Sequence, residues 1–103
     1  MIEDMFKKDE IKDLLKRNNV TMLGLFGSYA RGEESEESDV DFIIEFSKNN
    51  GLLALIKLKR ELSEILGKKV DLLTERSISP YIRKNIMNDL KVIFWYLFIV
   101  ISV

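Results

Sequence analysis

The fold is decided by residues 20–46, which read VTMLGLFGSYARGEESEESDVDFIIEF. The run Val20–Phe26 is short and apolar, which predicts a buried strand, and it leads directly into Gly27-Ser28. From Asp39 to Phe46 apolar and polar residues alternate, which predicts a second strand with Val40, Phe42, Ile44 and Phe46 on one face. The segment therefore predicts two strands joined through a glycine turn and an acidic loop.

The sequence also predicts a short helical turn within this segment and, in the flanking sequence, three helices and two further strands. The predicted elements are a helix over Lys8–Asn18, a helical turn over Tyr29–Gly32, a helix whose apolar stripe runs from Leu52 to Leu66, a strand over Val70–Thr74, a helix that opens at Ser79-Pro80 and carries Ile82, Ile86 and Met87, and strand-like residues from Lys91. This alternation predicts an α+β fold with one sheet and helices packed on it. We expect a single domain with its core over about residues 8–96 and an apolar C-terminal extension over residues 97–103.

The composition excludes several kinds of chemistry. The chain has 103 residues and contains neither cysteine nor histidine. Disulfide scaffolds, zinc fingers, thiol nucleophiles and serine–histidine catalysis are therefore excluded. A bound metal should be a hard, oxygen-preferring cation such as magnesium. The formal net charge is −1, so the basic surface of a nucleic-acid-binding protein is missing and we expect no direct nucleic-acid binding.

The two ends of the chain bear on location and assembly. The first ten residues mix charges without an apolar core, which argues against a secretory signal and, with the missing cysteine, favours the cytoplasm. The apolar run Val92–Ile101 is about half the ~20 residues of a membrane helix, so we expect no membrane span. Left exposed, this run would be an aggregation-prone edge. We therefore expect it to be covered by the fold, by a second copy in a homodimer or by a partner protein.

Two features at the strand ends could carry chemistry. Gly27 would let the backbone approach a ligand, and a helical turn starting at Ser28 would offer free N–H groups to an anion; the alternative is a plain turn. Asp39 and Asp41 are two residues apart in a strand, so both carboxylates project from the same face. A divalent cation would compensate their repulsion; the alternative is that both face water.

A third carboxylate, Asp71, lies in the short apolar strand. An acidic residue in that position is bound to metal, or the strand is an edge strand with Asp71 outward, or Asp71 pairs with Lys68 or Lys69. Together with the first two features it outlines metal-assisted phosphoryl chemistry. In that outline the turn cradles a triphosphate, two carboxylates bind magnesium, and the third binds a second metal or deprotonates the attacking hydroxyl.

Other side chains near the motif have open roles. Arg31 could donate two hydrogen bonds to a phosphate, or it could form a salt bridge with Glu33, Glu34 or Asp39. Arg83 and Lys84 lie at the start of the last predicted helix and receive no assignment. Tyr29 and Tyr81 are expected to pack, with their hydroxyl groups outward.

The motif resembles a known signature. Gly27-Ser28, ten residues, then Asp39-x-Asp41, within Leu-Phe-Gly-Ser-Tyr-Ala-Arg-Gly and Ser-Asp-Val-Asp-Phe, resembles that of the nucleotidyltransferase superfamily that includes DNA polymerase beta. The short chain resembles its minimal nucleotidyltransferases, the MntA-like antitoxins of HEPN/MNT toxin–antitoxin systems. The motif spans about residues 20–46, and the helix and Val-Asp strand that follow extend the resemblance to about residue 90.

The resemblance implies a nucleotidyltransferase fold with a mixed, mostly four-stranded sheet flanked by helices. It implies ATP binding through Gly27-Ser28, with Ser28 on the terminal phosphates, Asp39 and Asp41 as magnesium ligands, and Asp71 as the third carboxylate that assists the acceptor hydroxyl. The implied reaction is attack of a hydroxyl on the α-phosphorus, with pyrophosphate leaving. The implied acceptor is a tyrosine of a partner HEPN ribonuclease toxin, which is silenced by AMPylation.

Two other functions stay open at this point. One is a non-catalytic antitoxin that neutralises its toxin by occlusion, against which the intact Gly-Ser turn and three carboxylates argue. The other is a small-molecule nucleotidyltransferase of the aminoglycoside type, against which the missing substrate domain argues. Because larger members of the superfamily carry an added helical domain, we expect a partner chain to supply the acceptor here.

Overall fold

The computed structural model describes residues 2–48 and 50–96. The elements are α1 (Ile2–Met5), α2 (Asp9–Arg17), β1 (Val20–Phe26), α3 (Gly27–Arg31), β2 (Val40–Phe46), α4 (Gly51–Leu66), β3 (Val70–Thr74), a 3-10 turn (Glu75–Ser77), α5 (Pro80–Asp89) and β4 (Lys91–Trp95). The predicted order is confirmed, with α1 and the 3-10 turn as additions. The extension over residues 97–103 lies outside the described residues, so its proposed contact with a second copy or a partner stays a prediction.

The four strands form one mixed sheet in the order β3-β2-β1-β4, as the resemblance implied. β1 pairs antiparallel with β2 and with β4, whereas β2 pairs parallel with β3. The parallel register places Asp41 beside Asp71, and the antiparallel register places Phe26, the last residue of β1, beside Asp41. Because α3 begins directly after Phe26, the start of α3 and the two aspartates meet at one end of the sheet.

One face of β2 supplies the centre of the core. Val40, Phe42 and Ile44 are buried as their alternation predicted. Phe6, which follows α1, packs edge-on against Phe42 with the ring centroids 5.5 Å apart. The sequence pattern did not predict the burial of Phe6, because Phe6 stands outside any periodic stripe and is buried only by tertiary contact.

The longest helix of the described part, α4, is buried over only part of its predicted stripe. Leu58 and Leu62 are buried, whereas Leu52 is 70% exposed, so the prediction was wrong for Leu52. The cause is position: Leu52 lies in the first turn, and the residues packed on the sheet lie further along the helix. No helix within residues 2–48 and 50–96 is long and apolar enough to cross a membrane.

The last helix, α5, begins as predicted but packs less than predicted. The Ser79 hydroxyl accepts a hydrogen bond from the Tyr81 N–H at 3.3 Å, and proline follows at the first helical position. Of the predicted stripe only Ile86 is buried, while Ile82 and Met87 are exposed. Tyr81 is 93% exposed, so the expectation that it packs was wrong. Tyr29 does pack against the core.

Candidate active site

Three aspartates lie at the end of the sheet where β2 and β3 begin. Asp41 and Asp71 are register partners on these parallel strands, so both side chains project from the same face. Asp39 lies just before β2, which starts at Val40, one residue later than predicted. Asp39 and Asp41 are two residues apart in the chain, but Asp39 lies outside β2, so strand alternation does not by itself place its side chain on the face of Asp41.

The charges in this cluster interact. The pKa of Asp41 is raised above its ordinary value, first because burial disfavours the ionised carboxyl, and then because Asp71 and Asp39 repel its negative charge. Arg31 acts in the opposite direction and stabilises the ionised form. Asp39, Asp71 and Arg31 are thus all close enough to influence the charge of Asp41.

The two outer aspartates are each paired with a lysine. Lys69 Nζ lies 3.6 Å from Asp39 Oδ2, and Lys59 Nζ lies 3.4 Å from Asp71 Oδ1. The lysine partner of Asp71 comes from α4, not from the Lys68 or Lys69 that the sequence suggested. β3 is an edge strand, as one of the alternatives for Asp71 required. Within the described ranges, no group of three carboxylates converges tightly enough to hold a metal ion.

Gly27, the first residue of α3, lies against the Asp41 side chain. Its backbone has φ +75°, a conformation that favours glycine, and a Cβ at this position would lie only 2.5 Å from Asp41 Oδ2. Both the turn and the close approach therefore require glycine. The sequence predicted a close backbone approach here, and the group that approaches within the chain is the Asp41 carboxylate.

Ser28 lies at the start of α3. The helical turn predicted for residues 29–32 begins at Gly27 instead, so the Ser28 N–H belongs to the first turn, where N–H groups have no intrahelical partner. The Ser28 hydroxyl is in a half-buried residue and makes no hydrogen bond with any other residue that the structure describes. Both groups are therefore available to a ligand.

Arg31 ends α3 and is held between two carboxylates. Its Nε donates to Glu33 Oε2 at 3.1 Å, and its Nη1 donates to Asp89 Oδ2 at 2.7 Å. These hydrogen bonds, the one to Asp89 foremost, raise the pKa of Arg31. The Glu33 contact was one of the predicted alternatives, whereas Asp89 on α5 was missed because it lies far along the chain. Two of the five N–H donors of the guanidinium are used by these contacts.

The donor set suits a hard divalent cation. It consists of carboxylates and one hydroxyl, with neither nitrogen nor sulfur ligands, which is the set that magnesium prefers. The carboxylates repel one another because they carry like charges, and a bound divalent cation would offset that negative charge. Asp39, Asp41 and Asp71 are the residues that could hold the cation, which requires their carboxylates to turn toward one another as well as the lysines at Asp39 and Asp71 to move aside.

A separate cavity of about 590 Å³ opens between α1, α3 and the end of α4. Its lining includes Met5, Tyr29, Leu66 and Lys68, and none of the three aspartates. The Lys68 ammonium lies 6.0 Å from the centre of the Tyr29 ring. This cavity is therefore distinct from the carboxylate cluster, which lies at the open end of the sheet.

Comparison with known proteins agrees with this arrangement. The chain matches the family model described as "Nucleotidyltransferase domain" over residues 8–93. A Methanocaldococcus jannaschii protein, provisionally named a protein adenylyltransferase, is 45% identical over 82 residues, which cover 80% of this chain and 88% of that protein. Protein adenylyltransferase MntA of Thermococcus cleftensis is 40% identical over 78 residues, which cover 76% of this chain and 79% of that protein.

Solved structures share the fold. A chain in a crystal structure of a toxin–antitoxin with AMP-PNP superposes with a TM-score of 0.71 at 27% identity, covering 85% of this chain and 73% of that chain. A chain in the complex of a tri-AMPylated Shewanella oneidensis HEPN toxin with MNT antitoxin superposes with a TM-score of 0.66 at 23% identity, covering 91% and 73%. The second likeness concerns the fold alone.

Proposed function

The chain belongs to the nucleotidyltransferase domain family, and we propose that it is an antitoxin that transfers AMP from ATP to a tyrosine hydroxyl of a partner HEPN ribonuclease toxin. The observation that carries the proposal is the position of Asp41, beside Asp71 on the neighbouring strand and against Gly27 at the turn. The 40%-identical relative named protein adenylyltransferase MntA and the toxin–antitoxin structure with AMP-PNP, an ATP analogue, support this choice of reaction and partner class.

The start of α3 is the proposed triphosphate site. The Ser28 N–H and hydroxyl are available donors, and Arg31 lies near enough to Asp41 to affect its charge. We assign Gly27 the close backbone approach and Ser28 and Arg31 the contacts to phosphate oxygens. Magnesium held by Asp39, Asp41 and Asp71 would offset the negative charge of the phosphates and of the leaving pyrophosphate.

Asp71 is the proposed base for the acceptor. The tyrosine oxygen forms a bond to the α-phosphorus, the bond from that phosphorus to the pyrophosphate oxygen breaks, and the hydroxyl proton passes to the Asp71 carboxylate. The Asp71 side chain is 36% exposed and lies on an edge strand. A side chain from another protein can therefore approach it from outside the domain.

The test is incubation of the chain with ATP, magnesium and its HEPN partner, followed by mass spectrometry of the toxin. We expect an AMP adduct on a tyrosine with the wild-type chain and with Asp13→Asn, a change at an exposed position on α2. Asp39→Asn and Asp41→Asn should give no adduct while circular dichroism shows a folded domain. A folded wild-type chain that forms no adduct would contradict the proposed transfer.

A binding-only antitoxin is the second candidate. It is favoured by one observation: Asp39 and Asp71 are ion-paired, and no three carboxylates of the described residues converge on a metal. In that case Asp41→Asn would neutralise the toxin in cells as well as the wild-type chain does. Under the leading proposal the same variant leaves the toxin active, so a growth assay with both chains decides between the two.

A further inference from the structure

Two lysines neutralise the outer carboxylates of the proposed cation site. Lys59 reaches Asp71 from α4, and Lys69, in the loop before β3, reaches Asp39. Asp41, between these two carboxylates, has no ion-pair partner among residues 2–48 and 50–96. The positive charges of the lysines thus stand beside the outer carboxylates, whereas the central one has no ion pair within these ranges and is stabilised only by the charge of Arg31.

The ion pairs of Lys59 and Lys69 are weak. The side chains of Lys59 and Lys69 are 43% and 70% exposed, so their ammonium groups can turn into water at little cost. Both distances, 3.4 and 3.6 Å, are longer than a tight charge-assisted hydrogen bond. A divalent cation offers Asp39 and Asp71 a stronger partner than an exposed ammonium, because it carries twice the charge and can contact several oxygens at once.

We propose that Lys59 and Lys69 are exchangeable counter-ions, which neutralise Asp71 and Asp39 in the metal-free domain and release them when a divalent cation binds. The inference rests on the proposed function, since it takes the three aspartates as the cation's ligands. It adds an expectation about free metal: the lysines weaken its binding. The cation then enters mainly with the triphosphate, whose negative charge draws the released ammonium groups away from the carboxylates.

The test measures Mn²⁺ binding to the full chain without nucleotide, from the electron paramagnetic resonance signal of free Mn²⁺ at low salt. Manganese is a suitable probe because it takes the same oxygen ligands as magnesium. Lys59→Gln and Lys69→Gln should each bind Mn²⁺ about two- to fivefold more tightly than wild type, as expected for loss of a competing exposed ion pair. The double variant should bind more tightly still, and the gain should shrink in about 1 M salt.

The matched control is Lys57→Gln. Lys57 also lies on α4 and forms an exposed ion pair, with Glu61 at 4.0 Å, but that pair involves none of the three aspartates. Its loss should leave Mn²⁺ affinity unchanged. A second readout is thermal unfolding. In chelator, the double variant should have a lower melting temperature than wild type, and its melting temperature should rise more than that of wild type when Mn²⁺ is added.

The possible outcomes distinguish the counter-ion role of the two lysines from the ligand role of the three aspartates. If Asp41→Asn abolishes Mn²⁺ binding but the double lysine variant, folded, binds no more tightly than wild type, the counter-ion role is refuted and the cation site stands. If Asp41→Asn binds Mn²⁺ as wild type does, or no variant binds it, the ligand assignment behind the proposed function fails, and the counter-ion role fails with it.

Discussion

On the inner face of β2, Val40, Phe42 and Ile44 are buried in the core, whereas on the outer face Asp41 is half-buried among other charges and Glu45 is exposed. The two sets alternate along one strand and share one backbone. The inner side chains contribute stability through burial. The outer carboxylate opposes it, since burial and its neighbours disfavour its charge. Successive residues of β2 face opposite sides of the sheet, so the side chains that stabilise the core alternate with the carboxylate assigned to the site.

The outer face is itself divided by α5 and the residue after it. Ile43, two residues beyond Asp41 and on the same outer face, is buried. Gly24 of β1 lies directly beneath the Leu90 side chain, with no room for a Cβ. The outer face is therefore apolar where α5 and Leu90 cover it and acidic where it is open. The uncovered end is the one that a nucleotide and an acceptor could reach.

The largest effect is expected from Asp41→Asn, which changes the outer face alone. AMP transfer should fall by a factor on the order of 10²–10³ or more, because the amide offers no charge to a cation where charge develops in the reaction. The rate of adduct formation measures this. The free energy of unfolding in chelator should not fall. Transfer within tenfold of wild type would show that Asp41 is not needed.

Phe42→Ala changes the residue next to Asp41. In contrast to Asp41→Asn, its main effect should be on the free energy of unfolding. It removes a fully buried ring that packs against Phe6, so the free energy of unfolding should fall by about 3–5 kcal/mol in urea titration. Glu45→Ala on the exposed side is the control and should change it by less than about 0.5 kcal/mol. Phe42→Leu, a milder change, should keep transfer. A loss below about 1 kcal/mol for Phe42→Ala would contradict the separation of the two faces.

Gly27→Ala tests how closely the outer face is fitted to the turn. Its control is Gly32→Ala, because Gly32 has a similar φ of +72° but open space where a Cβ would go. Both changes should cost about 1–2 kcal/mol through backbone strain. Only Gly27→Ala should also displace the Asp41 carboxylate and lower transfer, by about 10²-fold if the shift approaches 1 Å. Equal rates of AMP transfer by the two variants would show that the close contact of Gly27 with the Asp41 carboxylate does not affect the reaction.

Much of the fold was predictable because its signals are local. The bounds of β1 and β3 agree with the predicted strands, and β2 begins one residue late. The alternation along β2 and the glycine after β1 are read from neighbouring residues alone. The burial of Phe6 and the exposure of Leu52 were not predictable in this way, because each depends on which elements pack together in three dimensions.

In the site, too, the features that depend on neighbouring residues were predictable and those that depend on tertiary packing were not. The Gly-Ser turn predicted a close backbone approach to a ligand, and the Asp-x-Asp spacing predicted a shared face for two carboxylates. The register of β2 with β3 places Asp41 beside Asp71. The charges that surround them were not predictable. Lys59 comes from α4 and Asp89 from α5, and no local pattern links either to its partner.

The smallest effect expected is the pH dependence that Asp41 gives to stability. In the unfolded chain its carboxyl titrates at the ordinary pKa, whereas in the folded domain the pKa is raised. The folded state therefore favours the protonated form, and the stability that this contributes is lost as pH rises through the raised pKa. Asp41→Asn cannot titrate. Its free energy of unfolding, relative to wild type, should therefore increase from acid to neutral pH, by at most about 1 kcal/mol because the side chain is only half-buried.

Urea titrations in chelator between about pH 3 and pH 7 measure this difference. Asp13→Asn, which removes a carboxyl at an exposed position of α2, is the control with which the Asp41→Asn difference is compared. About 1 M salt should reduce the Asp41 effect in part, because salt screens the repulsion from Asp71 and Asp39 but not the cost of burial. A difference that stays constant across this range would mean that folding does not disfavour the ionised Asp41, and one that decreases from acid to neutral pH would mean that folding favours it. Either result would show that the outer face of β2 carries no electrostatic strain at Asp41.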